Sequence, residues 1–427
     1  MLIEATTQTV YGNVYALAGN DDLNVASGVL IRSLGSSPDH NTEYDAILAY
    51  QGQNRITVSG TVKGYDDGIN TIGSEAAQTV EIMAGGHVFS GYGSAVVDAD
   101  GVILDGLNSS LANHGIITAQ GSGVMLSTRE FGTTVVANYG TINAEKYGIW
   151  VQYSFGTASF TNFGRVESGL ASYLGGARVD LVTNAGVMSG DVDLGQGNDV
   201  YVGTEGRVIG TIYGSWGDDS FVTGRYIDRI DGGDGIDTLD FSGSATAVHV
   251  DLTDAANNSG QSAFRDTYTG IETILGSGRN DMLTGDAQAN TLAGNAGVDR
   301  LIGNDGNDTL DGGAARDVLT GGAGFDTFVF RSAAEARDEI TDFSSQTDLI
   351  ALDGAAFGYA GQHGAIDPAD FVISTRAAGL DATDHFIFRT TDATLWYDAD
   401  GAGGALAVLL ANLNDDVMLG AGNIQFL

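Results

Sequence analysis

Over the first 190 residues apolar positions come in short runs, and no segment of useful length has the 3.6-residue period of a helix. A Gly-x-apolar step punctuates them: Gly60-Thr-Val62, Gly86-His-Val88, Gly115-Ile-Ile117, Gly140-Thr-Ile142, Gly164-Arg-Val166, Gly186-Val-Met188 and Gly206-Arg-Val208. The steps are 26, 29, 25, 24, 22 and 20 residues apart. Between them lie further apolar runs, such as 123–127, 133–139, 148–154 and 158–163. Roughly three short strands per repeat fit one coil of a right-handed parallel β-helix, each coil pairing with the next about 4.8 Å away. Asn113, Asn138, Asn162 and Asn184 each stand two residues before a step glycine. They predict an asparagine ladder in one turn, which is a structural role. Tyr139 and Phe163 follow two of these asparagines and are expected to stack in the same way.

A second rhythm runs from 276 to 330, with a period of nine: GSGRNDMLT, GDAQANTLA, GNAGVDRLI, GNDGNDTLD, GGAARDVLT, GGAGFDTFV. Its sixth residue is Asp281, Asn290, Asp299, Asp308, Asp317 and Asp326. The eighth is Leu283, Leu292, Leu301, Leu310, Leu319 and Phe328. Looser copies upstream, at 194–202, 214–222 and 232–240, contribute Asp199, Asp219 and Asp237.

Each part of the nonapeptide has a physical reading. Glycine permits the positive-φ turn that opens it. The end is a very short strand whose eighth residue points inward. Two nonapeptides make an 18-residue coil with a turn on each side. Stacked turns offer backbone carbonyls and Asp carboxylates, an oxygen-only donor set suited to Ca²⁺. Asp281, Asp299 and Asp317 would line one edge, and Asn290, Asp308 and Asp326 the other. The turn residues Gly294, Asn295, Gly297, Gly303, Asn304, Gly306, Gly312, Gly313, Gly321, Gly322 and Gly324 are the candidate backbone donors.

This segment closely resembles the RTX nonapeptide family, the GGxGxDxUx β-roll. Arg279 and Ala315 depart from it at the fourth position and Asn290 at the sixth. The Arg279 and Ala315 turns are therefore expected to form weaker or partial sites. Residues 241–275 resemble the spacer that often precedes such repeats. Residues 331–427 resemble the C-terminal region of RTX proteins exported by type I secretion. That resemblance implies a type I transporter as partner and a secreted, extracellular or cell-surface location in a Gram-negative bacterium. It also accounts for an N-terminus, MLIEATTQTVYGN, without a basic-then-apolar leader. The same 97 residues can also close the roll as a β-rich cap. The expected architecture is all-β and continuous. A parallel β-helix spans 1–190, a Ca²⁺-binding β-roll 191–330, and a secretion cap 331–427.

Composition narrows the function. The chain has 427 residues, with 64 Gly, 2 Pro and 0 Cys, and a formal net charge of −37. The missing cysteines exclude a disulfide scaffold, a thiolate metal site and a cysteine nucleophile. The negative charge makes nucleic acid a poor partner. The longest apolar stretch, 404–413, is half a membrane span. There is no HExxH, no GxSxG and no phosphate-binding loop, and the six histidines, His40 among them, lack metal-ligand spacing. Two readings remain. One is a non-enzymatic solenoid: an adhesin, a surface-layer subunit or a biofilm-matrix component, self-associating or holding a surface glycan. The alternative is a polysaccharide lyase or epimerase with its site on the β-helix face. Its candidate residues are Arg129, Lys146, Tyr147, Arg178 and Tyr173.

Overall fold

The computed structural model describes residues 1–11, 13–34, 45–71, 76–91, 98–127, 132–152, 156–333, 337–379, 381–401, 406–414 and 417–427. Among these residues there is no α-helix. The chain forms two compact units, Met1–Asp237 and Thr238–Leu427.

The first unit is a parallel β-helix with three strands to a coil. Each strand alternates, so one set of side chains lines the interior. In the first sheet the interior column runs Leu23, Ile56, Val80, Leu111, Val136, Phe160, Val182, Tyr201, Phe221. In the second it runs Ile31, Val62, Val88, Ile117, Ile142, Val166, Met188, Val208. From Val62 onward these are the apolar residues of the Gly-x-apolar steps. The third column runs Ile47, Ile69, Val102, Val124, Ile149, Tyr173, Val192, Ile212, Ile230. Nearly all of these side chains are fully buried.

The step glycines are needed for close approach and not for backbone twist. A Cβ on Gly140 would lie 2.1 Å from the Gly115 carbonyl oxygen, and one on Gly164 would lie 2.1 Å from that of Gly140. Beside them an inward column of the first sheet changes from Val25, Val58 and Ile82 to Asn113, Asn138, Asn162 and Asn184. The amide of Asn113 donates to Asn138 at 2.8 Å, Asn138 to Asn162 at 2.8 Å, and Asn162 to Asn184 at 2.9 Å. Outside the same turn His114, Tyr139 and Phe163 stack, with centroids 4.5 and 4.9 Å apart.

The second unit has the two-column logic of a roll. One column is Leu239, Ile274, Leu292, Leu310, Phe328, Ile350, Ile424. The other is Val250, Leu283, Leu301, Leu319, Ile340. Strands Phe386–Arg389, Thr394–Tyr397 and Val408–Asn412 pair antiparallel. The third of them lies parallel to Asp338–Ile340, so residues after 331 cover the end of the roll. Phe357, Phe386, Phe388, Leu395 and Leu410 form the buried core of this cap.

Candidate metal centre

The nonapeptide turns are built on a pair of left-handed residues. Asn295 and Gly297 have φ of 70° and 137°, Asn304 and Gly306 79° and 136°, and Gly322 and Gly324 104° and 156°. Gly313 and Ala315 have 84° and 107°. Glycine meets this demand without strain and asparagine tolerates it. Ala315 adopts it at a cost. Arg279 and Gln288, which stand at the fourth position of the first two tandem repeats, are not left-handed.

The sixth-position carboxylates form ladders. Oδ1 of Asp299 accepts from the Asp281 N–H at 2.7 Å, Asp317 from Asp299 at 2.7 Å, Asp308 from Asn290 at 2.7 Å, and Asp326 from Asp308 at 3.0 Å. Each link spans 18 residues, one coil. In the first unit Asp199 accepts from Asp180 at 2.6 Å, Asp219 from Asp199 at 2.7 Å and Asp237 from Asp219 at 2.8 Å.

The second carboxylate oxygen is different. Oδ2 of Asp199, Asp219, Asp299, Asp308 and Asp326 is buried with no hydrogen-bond partner. For Asp219, Asp299 and Asp308 it sits against the first glycine of its own repeat and the carbonyl of the first glycine one coil on. A Cβ on Gly294 would lie 2.4 Å from Asp299 Oδ2 and 2.6 Å from the Gly312 oxygen. One on Gly303 would lie 2.2 Å from Asp308 Oδ2 and 2.5 Å from the Gly321 oxygen. A Cβ on Gly312 would lie 2.6 Å from Asp317 Oδ2, and one on Gly321 2.4 Å from Asp326 Oδ2. Oxygen atoms thus crowd a space that only glycine leaves open. Burial pushes Asp199 up to about 8, Asp299 to about 7, and Asp219 and Asp308 to about 6, and it raises Asp281 and Asp326 as well. A desolvated carboxylate beside carbonyl oxygens is stabilised in its charged form by a cation.

Not every turn is open in this sense. Ser277 closes the first one, its N–H donating to Asp281 Oδ2 at 2.6 Å and its hydroxyl to Oδ1 at 2.9 Å. In the second, Asn290 Oδ1 accepts from the Asp286 N–H at 2.8 Å, and its amide donates to the Ile271 carbonyl. Among the described residues no three His, Asp or Glu side chains converge on one point. A centre in these turns therefore draws one carboxylate from each repeat and the rest of its oxygens from the backbone. The residues present fit Ca²⁺ on that basis.

The family model for the RTX calcium-binding nonapeptide repeat, in four copies, matches residues 213–244, 266–301 and 293–328. These turns are RTX calcium-binding repeats. Among curated proteins no match is found. Of solved structures, the AlgE6R3 subunit of the Azotobacter vinelandii mannuronan C5-epimerase is 31% identical, over 34% of this chain and 77% of that one, with a TM-score of 0.23. The extracellular lipase LipA of Serratia marcescens is 15% identical, over 69% of this chain and 45% of that one, also with a TM-score of 0.23. This chain therefore spans less than half of the lipase.

The RTX ladders reach beyond the residues that the motif picks out. Asp338 Oδ1 accepts from the Asp317 N–H at 2.9 Å, and Asp348 Oδ1 from the Asp326 N–H at 3.3 Å. Asp342 takes the N–H groups of Gly321 and Gly322 at 2.9 and 2.8 Å. In the first unit Asp180 plays the same part at the start of its ladder, its Oδ1 accepting from the Ala158 N–H at 3.3 Å. The signal was present as Asp-x-apolar triplets at 180–182, 338–340 and 348–350. Their spacing from the nearest repeat is 19, 21 and 22 residues instead of 18, so a strict nonapeptide register misses them.

Among the described residues, those weighed for an enzyme site divide between interior and surface. Tyr173 is fully buried, stacked on Phe160 at 5.9 Å, and cannot be a surface platform. The reason is the register, which places it in an interior column. Lys146 pairs with the Asp98 carboxylate. Tyr147 packs against Trp150 with centroids 5.6 Å apart. Arg178 is exposed, in a turn near Asp180. Arg129 and His40 lie outside the described residues. Among the described residues no helix is long and apolar enough to cross a membrane.

Proposed function

We propose that this chain is a secreted, calcium-binding solenoid that acts as a structural or adhesive component of a cell surface or extracellular matrix. The observation that carries the reading is the buried, unpartnered Oδ2 repeated on Asp199, Asp219, Asp299, Asp308 and Asp326. A fold that repeats an uncompensated carboxylate coil after coil is incomplete without a cation. On this reading 1–190 is the β-helical body, 191–330 the calcium-dependent roll and 331–427 the segment read by a type I transporter. Extracellular Ca²⁺ modules bind with Kd of about 10⁻⁴–10⁻³ M. At tenfold excess each ion adds about 1.4 kcal/mol if it binds only the folded state, so five such sites add about 7 kcal/mol. That is of the order of a domain's whole stability, about 5–15 kcal/mol. At cytosolic calcium this contribution vanishes and the roll is expected to stay unfolded for export.

Circular dichroism of the full chain during a calcium titration tests the reading. A large gain of β signal through the millimolar range is expected. A spectrum already complete in excess chelator refutes it. Export is tested separately by fusing 331–427 to a passenger beside a type I transporter; efficient secretion of a chain lacking this segment counts against its role. Of the candidates for the lyase or epimerase alternative that lie among the described residues, Tyr173 is buried in the interior and Lys146 is paired with Asp98.

A further inference from the structure

In the first unit the outward residues of the second sheet form a row along the stacking direction: Lys63, Phe89, Thr118, Asn143, Glu167. Beside this row the chain bends before entering the third sheet, and the inside of the bend is a groove of about 570 Å³. Phe89, Gln120, Asn143, Glu145, Glu167 and Ser168 are among its walls. From Phe89 to Glu167 there are three coil steps, about 14 Å at the ordinary strand spacing. A linear molecule several rings long can lie in it, parallel to the stack.

The walls specify the chemistry of that molecule. Asn143 Oδ1 is buried without a hydrogen-bond partner, and a turn of its side chain presents it to the groove as an acceptor. The exposed Glu145 and the half-exposed Glu167 add carboxylate acceptors. The cations nearby are engaged: Arg165 with Glu167, Lys146 with Asp98, and Lys63 over the Phe89 ring at 5.1 Å from its centroid. Ser168 spends its hydroxyl proton on the Ser189 carbonyl at 3.0 Å. The amides of Gln120 and Asn143 can both give and take. Phe89, next to Lys63 at one end of the row, contributes a ring that carries the Lys63 ammonium over one face. An occupant that brings several hydroxyl donors fits these walls, and the exposed Glu145 disfavours one that carries negative charge. Uronates, phosphates and acidic peptides are repelled by Glu145 and Glu167. Cationic chains would be drawn to all of a surface with net charge −37, with no preference for this groove.

We propose that this groove binds an uncharged polysaccharide chain, lying along the stacking direction of the β-helix. The site names the partner of the adhesive reading above and rests on it. The test uses the full chain in millimolar calcium, with folding confirmed by circular dichroism. Cellohexaose, maltohexaose, laminarihexaose and mannohexaose are titrated by calorimetry, with hexagalacturonate as the anionic control. At least one neutral hexasaccharide is expected to bind with a Kd of about a millimolar or tighter, unchanged by added salt, while the uronate does not bind. Glu145→Ala and Asn143→Ala should each weaken it about fivefold or more, the loss of one hydrogen bond. Glu145 is exposed, so its variant keeps the test intact if Asn143→Ala fails to fold. The inference is overturned if no neutral probe binds, if the uronate binds as tightly, or if binding survives Glu145→Ala unchanged. A chain that folds with calcium but ignores all four glycans sinks the groove alone. A chain indifferent to calcium that still binds one sinks the calcium reading alone.

Discussion

Replacing Asp308 by asparagine should change stability in opposite directions with and without calcium. The Oδ1 of Asp308 holds the Asn290 N–H at 2.7 Å, and an asparagine oxygen can keep that bond. Asn290 shows that the fold accepts an amide at the sixth position, with its Nδ2 donating to a backbone carbonyl. What changes is the charge on Oδ2. Burial raises the Asp308 pKa from 3.8 to about 6. A raised folded-state value means that the group's contribution is fully present below the unfolded pKa and is lost as pH rises through the folded one. In chelator the wild-type chain should lose stability between about pH 4 and pH 6 from this residue, on the order of 2–3 kcal/mol by linkage. Asp308→Asn does not titrate, so it should match wild type near pH 4 and exceed it by about 2 kcal/mol near pH 8. In saturating calcium the order should reverse near pH 8, because the variant forfeits most of one site, about 2.7 kcal/mol at a hundredfold excess over Kd, which outweighs that gain. Because the roll is expected to be largely unfolded in chelator, the difference there is read from the β signal in circular dichroism, and in calcium from urea unfolding, at both pH values. Destabilisation of the variant by the same amount in chelator and in calcium would refute the reasoning, since the carboxylate would then act only as a hydrogen-bond acceptor.

Gly303→Ala should cost about 1–3 kcal/mol in overpacking and lower calcium affinity, because its Cβ meets Asp308 Oδ2 at 2.2 Å. Gly278→Ala, with nothing within 4 Å of the new atom, should be neutral or slightly stabilising in the same melt. Ala315→Gly should raise the unfolding midpoint, since it relieves a φ of 107° worth about 1–3 kcal/mol and returns about 0.4–1 kcal/mol in unfolded-chain entropy. Asn138→Ala breaks the ladder at both neighbours and should cost about 1–3 kcal/mol, read as a lower thermal midpoint that calcium does not restore.

Much of this molecule is local, and so it was legible in the sequence. The ninefold register specifies the turn and the inward residue because both lie within one nonapeptide. Leu283, Leu292, Leu301, Leu310 and Leu319 are all fully buried. The Gly-x-apolar steps likewise marked an interior column, and the asparagines marked a ladder, because a solenoid repeats its contacts at a nearly constant sequence separation. Three things depended on tertiary structure. The first is which turns are open: Ser277 and Asp286 close theirs with short-range bonds that compete with a cation, whereas Asp299, Asp308 and Asp326 keep a bare Oδ2. The second is where the ladders stop, since Asp180, Asp338 and Asp348 join them across 19 to 22 residues and a fixed period does not reach them. The third is which way a side chain faces. Tyr173 reads in sequence like any surface tyrosine, but Glu167, Ala171 and Tyr173 straddle register shifts against the next strand, and the last of them falls inside. A bulge of one residue exchanges the two faces of a strand, and nothing local in the sequence announces it.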